Sequence, residues 1–91
     1  MKYKVRITSK FNKDLKVIQK RGYDLSRLRY VVQELANGNT LSPIFKDHQL
    51  KGNYKDKREC HIYPDWLLIY KFNDDELLLE LLRTGTHSDL F

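Results

Sequence analysis

Tyr3, Val5 and Ile7 alternate with Lys2, Lys4, Arg6 and Thr8, the two-residue period of a half-buried strand. From Phe11 the period lengthens. Phe11, Leu15 and Ile18 fall at i, i+4 and i+7 on one face of a helix that Ser9 is placed to cap and Gly22 to end. A second stripe, Leu25, Leu28, Val32 and Leu35, follows Asp24, a capping residue type, and stops at Asn37-Gly38. Two helices joined by a tight turn make a hairpin with one shared apolar face.

Residues 38–57 carry no sustained period and are punctuated by Gly38, Asn39, Pro43, Gly52 and Asn53, which reads as a long loop. Loops of that length within a compact domain tend to be functional. Three strand-like runs follow, at 58–63, 66–72 and 76–83, with turns at Pro64-Asp65 and Asn73-Asp74-Asp75. The middle run is apolar almost throughout, as a central strand covered on both faces should be. The predicted fold class is α+β: strand, two-helix hairpin, long loop, then a three-stranded meander. Its simplest packing is an antiparallel sheet that includes the N-terminal strand, with the helices on one face. The other face is then available to a ligand.

Ninety-one residues suit a single domain over 1–91. The longest apolar run, 66–70, is far too short to span a bilayer, and Met1-Lys2-Tyr3-Lys4 lacks the apolar core of a secretion signal. One cysteine, Cys60, cannot form an internal disulfide, which fits a reducing cytoplasm. Net charge is +5, unevenly spread: residues 1–30 hold ten basic and two acidic side chains, whereas 61–91 hold two and six. A basic N-terminal third suits a polyanion or an acidic protein partner, although solvated lysines on helix faces account for it equally well.

All three histidines lie in the second half: His48 in the loop, His61 on a strand, His87 in the tail. Strict alternation places His61 with Glu59 and Tyr63, and turns Cys60 and Ile62 toward the core. Asp65 sits in the turn beyond that strand, and Arg83 ends the last strand four residues before His87. A sheet edge that gathers imidazoles, a carboxylate and a guanidinium has two chemical readings. A metal site is disfavoured, because no histidine pair has close ligand spacing and the one thiol is isolated. Acid–base work on RNA needs a base for the ribose 2′-OH, an acid for the departing 5′ oxygen, and a cation for the phosphoryl charge. Histidine suits the proton transfers because its ordinary pKa is about 6.5. On spacing alone Trp66 and Tyr70 read as core side chains, while a terminal aromatic, Phe91, suggests a tail that docks or stacks.

Three strings carry more specific information. Asp47-His48-Gln49-Leu50-Lys51-Gly52-Asn53-Tyr54, the run from Arg58-Glu59-Cys60-His61 through Pro64-Asp65-Trp66 to Tyr70, and Arg83-Thr84-Gly85-Thr86-His87-Ser88-Asp89-Leu90-Phe91 together resemble the YafQ family of bacterial toxins, within the RelE/ParE superfamily. The resemblance implies a RelE-like fold and a ribosome-dependent mRNA endonuclease. Such an enzyme cuts translated codons without a metal or other cofactor and leaves a 2′,3′-cyclic phosphate. His48, His61, Asp65 and His87 match the family's acid–base positions and Arg83 its transition-state cation. Trp66 and Phe91 match aromatic positions tied to activity, as RNA contacts. His61 or Asp65 is the expected base and His87 the expected acid. The implied partners are a DinJ-like antitoxin, the ribosome and mRNA, with operator DNA reached only through the antitoxin complex and no membrane. The implied setting is the bacterial cytoplasm. A ParE-like inhibitor that binds gyrase without chemistry is the alternative, and it has no need of several proton-transfer groups at one edge.

Overall fold

The computed structural model describes residues 1–54 and 56–91. Strand β1 (Lys4–Ile7) leads into helix α1 (Ser9–Lys20), and a turn at Gly22 joins it to α2 (Ser26–Ala36). After a two-residue strand β2 (His48–Gln49) come β3 (Arg58–Tyr63), β4 (Trp66–Asn73) and β5 (Leu78–Gly85), and a one-turn helix α3 (His87–Leu90) closes the chain. The strands form one five-stranded sheet in the order β1-β5-β4-β3-β2.

The α+β class and the meander are as expected, and β4 is the central strand. One edge corrects the expected all-antiparallel sheet: β1 pairs with β5 in parallel, Val5 opposite Leu79. Parallel neighbours need a crossover, which the helix pair supplies, and a hydrophobic period does not encode that relation. The loop over 38–57, of which Lys55 lies outside the described residues, also holds more structure than its composition suggests. It contains 3-10 turns at Pro43–Phe45 and Gly52–Tyr54 and the edge strand β2, antiparallel to β3.

Caps follow side-chain reach. Thr8, rather than Ser9, caps α1, its hydroxyl accepting the Phe11 N–H. Asp24 accepts the Ser26 N–H at the start of α2. Gly22 and Gly38 adopt the positive φ angles that end the two helices. Phe11 and Ile18 from α1 and Leu28, Val31 and Leu35 from α2 pack on Cys60, Ile62, Leu68, Tyr70, Leu79 and Leu81. Val31, outside the predicted stripe, is fully buried. Among the described residues no helix is long and apolar enough to cross a membrane.

Candidate active site

The site lies on the sheet face turned away from α1 and α2. Register places Glu59, Ile69 and Arg83 in one row across β3, β4 and β5, and His61, Leu67 and Gly85 in the next. Directly opposed residues share a face, so Leu67 and Ile69, both buried and both outside the helix-side core, form the floor beneath a polar rim. A bulge makes this arrangement possible. Ile69 pairs with Arg83 but Tyr70 pairs with Leu81, leaving Leu82 as the extra residue. Strict alternation from Leu79 and Leu81 would send Arg83 into the core. The inserted residue instead turns it to the open face and sends Thr84 inward.

Glu59 is the residue that spacing alone did not single out, although alternation had placed it beside His61. Its carboxylate is buried, and Oε1 lies 3.7 Å from Nε2 of both His48 and His61. Each imidazole is oriented from its other side. The His48 Nδ1–H donates to the Lys46 carbonyl at 2.8 Å and the His61 Nδ1–H to the Pro64 carbonyl at 3.1 Å. Because a carbonyl only accepts, those bonds fix the proton on Nδ1 and direct both Nε2 atoms to the site. The loop that carries His48 is itself anchored. Asp47 accepts from Arg58 at 3.0 Å and forms a short hydrogen bond with the Tyr70 hydroxyl. Burial, with that carboxylate second, pushes the Tyr70 phenol well above its ordinary range.

His87 stands across from His61, ring centroids 6.0 Å apart, with its Nδ1 3.5 Å from Asp65 Oδ1. Four of the five expected acid–base and cationic residues thus share one region: His48 and His61 through Glu59, His87 and Asp65 through their pairing. Arg83, the fifth, lies in the same row as Glu59 but is forked on Asp14 of α1, through Nε at 2.7 Å and Nη2 at 3.1 Å. Asp14 also accepts the Thr84 N–H, closing the stretch of β5 that extends past its pairing with β1. The fork uses two of the five guanidinium N–H donors and leaves the rest for a ligand.

The tail is held by α3. Thr86 and Asp89 form a capping box, and Asp89 receives a two-point contact from Arg21 at 2.7 and 2.9 Å. At Gly85 an added Cβ would come within 3.0 Å of the Asp89 side chain, so glycine lets α3 pack closely on β5. Arg21, with the Thr86 N–H, holds the Asp89 carboxyl well below its ordinary 3.8. A carboxyl depressed by folding contributes its stabilisation above the unfolded value and loses it as pH falls toward the folded one. Amide signals of residues 87–91, followed by NMR from neutral pH to acid, should therefore stay docked down to about pH 4 and shift below it. In Arg21→Ala the same shift should begin at higher pH.

Two aromatic expectations part company. Phe91 is exposed, with its ring 6.4 Å from those of His87 and Tyr54. Trp66, expected as an RNA contact, is only 2 % exposed, and its indole N–H donates to Thr84 Oγ1 at 2.7 Å. A side chain so enclosed offers no face to a base, so its place is the core, as the strand pattern alone had indicated. No group of three potential metal ligands occurs among the described residues.

An open sheet face with three oriented imidazoles, two carboxylates and a forked guanidinium, closed at one end by a C-terminal helix, defines a small α+β protein equipped for proton transfer. Comparison with known proteins gives the family. The model of the YafQ toxin family, a bacterial toxin of type II toxin–antitoxin systems, matches residues 3–91. The mRNA interferase toxin YafQ of Escherichia coli strain K12 is 42 % identical over 88 residues, 96 % of this chain and 94 % of the relative. A metal-bound toxin from Helicobacter pylori superposes with a TM-score of 0.93 at 48 % identity, covering 98 % of this chain and 99 % of that one. YafQ in the E. coli DinJ–YafQ complex gives 0.89 at 41 % identity, covering 98 % of each chain. The chain belongs to the YafQ family of bacterial type II toxin–antitoxin toxins.

Proposed function

We propose that the chain is an mRNA interferase, a ribosome-dependent endoribonuclease that cleaves translated codons by acid–base transesterification. The observation that carries this reading is the pair of facing imidazoles, His61 and His87, 6.0 Å apart on an open face and each oriented by a second group. His61 Nε2 takes the 2′-OH proton, and the 2′ oxygen forms a bond to phosphorus as the bond to the 5′ oxygen breaks. His87, paired with Asp65, gives a proton to that 5′ oxygen, so a 2′,3′-cyclic phosphate and a free 5′-OH result. The free N–H donors of Arg83 stabilise the charge on the phosphoryl oxygens. His48 Nε2, like His61 Nε2, lies 3.7 Å from Glu59 Oε1, so that carboxylate stabilises the positive charge either ring gains on taking up a proton. Phe91 offers an exposed ring on which a base can stack.

The E. coli relative assembles with DinJ, and by that likeness a DinJ-like antitoxin neutralises this toxin. Operator DNA is contacted only through the antitoxin complex, and the toxin acts in the bacterial cytoplasm. Induced expression of wild type and His87→Ala, with mRNA ends mapped by primer extension, tests the reading. In-frame cuts with wild type alone are expected. Growth arrest by both proteins without cuts would overturn the nuclease reading in favour of a gyrase-type binding inhibitor.

A further inference from the structure

Arg27, on the first turn of α2, has no part in the chemistry above. Its guanidinium lies between two aromatic rings, 4.9 Å from the centroid of Phe45 and 4.5 Å from that of Tyr63. Its Nε is buried without a hydrogen-bond partner among the described residues. Arg21, Arg58 and Arg83 are each held on a carboxylate. Arg27 has none among the described residues. Arg27 is half-buried, its cation held by the two rings while its Nε–H is shielded from solvent and, among the described residues, unpartnered, so a ligand oxygen reaching that donor would satisfy it.

The ligand's place is a cavity of about 260 Å³ lined by Arg27, Ile44, Lys46, His61, Tyr63 and Pro64. Lys46 adds a second cation from a left-handed backbone, φ 49°, which a residue other than glycine adopts at a cost. The same backbone presents the carbonyl that orients His48, so the strained turn serves the catalytic loop and this cavity together. Two cations, an apolar wall and one wall formed by the reacting imidazole are the features of an anion site that continues from the reaction centre.

We infer that Arg27 and Lys46 form a subsite for an RNA phosphodiester flanking the scissile one. The inference rests on the proposed nuclease reading. The rigid planar fork of Arg27 suits two phosphate oxygens, Lys46 supplies a mobile point charge, and Tyr63 and Ile44 flank the sugar. An acidic antitoxin side chain would need the same charges. RNA is favoured because the cavity opens onto His61, where a neighbouring phosphate must lie if the next one reacts there.

The test uses the full-length protein as wild type, Arg27→Gln, Arg27→Lys and Lys46→Gln. A short RNA with a 2′-deoxy sugar at the cutting position, which cannot react, is titrated by NMR to millimolar concentration at several KCl concentrations. Cutting of mRNA on translating ribosomes and Tm are measured in parallel. Arg27→Gln and Lys46→Gln should each weaken RNA binding about tenfold at low salt and reduce the slope of log K against log salt by about one. On ribosomes KM should rise with kcat little changed, and Arg27→Lys should recover part of the loss. The Arg27 Nε–H signal should shift on titration of wild type. Wild-type affinity and slope in Arg27→Gln at unchanged Tm overturns the subsite, as does absence of RNA binding by wild type. A loss of affinity confined to an antitoxin peptide overturns it also. If wild type binds RNA through Arg27 yet cuts no mRNA, the nuclease reading fails and takes the flanking-phosphate role with it, leaving Arg27 as an RNA contact without a scissile neighbour. If Arg27→Gln cuts with wild-type KM, the subsite fails and the nuclease stands.

Discussion

Cleavage on translating ribosomes should fall about 10²–10⁴-fold in His61→Ala and in His87→Ala, with the loss in kcat rather than KM. Each imidazole is positioned by a group that survives the other's removal: the Pro64 carbonyl holds His61, and Asp65 holds His87. Neither substitution exposes core, because His87 is exposed and His61 sits at the rim, so Tm should change by no more than a few degrees. If the two act on one phosphodiester, base and acid operate in a single displacement. The double variant should then be only slightly worse than either single variant, well short of the product of the two losses. A product of losses would mean that they serve separate steps. A His61→Ala enzyme at full rate would remove it as base and leave the exposed Asp65 carboxylate as the candidate.

Trp66→Ala should destabilise the fold by about 3–5 kcal/mol. For a domain of this size that lowers Tm by more than about 10 °C. Trp66 is among the largest fully buried side chains, packs edge-on against Tyr23 at 5.3 Å and donates to Thr84 across the sheet. That donation matters for the site, since Thr84 precedes Gly85 and α3, and its hydroxyl also donates to the Leu67 carbonyl in the floor. Trp66→Phe separates packing from chemistry. It should cost about 1–2 kcal/mol, mostly the lost indole hydrogen bond, and cleave at the wild-type rate per folded molecule. A hundredfold loss of kcat in Trp66→Phe with an unchanged Tm would restore the indole as an RNA contact.

Hydrophobic period alone located α1, α2, β3 and the central β4, because burying one face forces apolar residues into a spacing that survives in the sequence. It also set Glu59 and His61 on one face of β3 opposite Cys60 and Ile62, since that alternation is a property of the strand itself. The strings around His48, His61 and His87 identified the family and its expected site. Other features depend on partners distant in sequence and have no local signature. The parallel pairing of β1 with β5 and the two-residue strand β2 arise only when the sheet assembles. The extra residue Leu82 decides that Arg83 reaches the site rather than the core, and Asp14, remote in sequence, decides how that cation is held. Burial of Trp66 and the aromatic sleeve around Arg27 were likewise settled by packing: a side chain's exposure is fixed by the elements that close over it, and the sequence names the side chain without naming the cover.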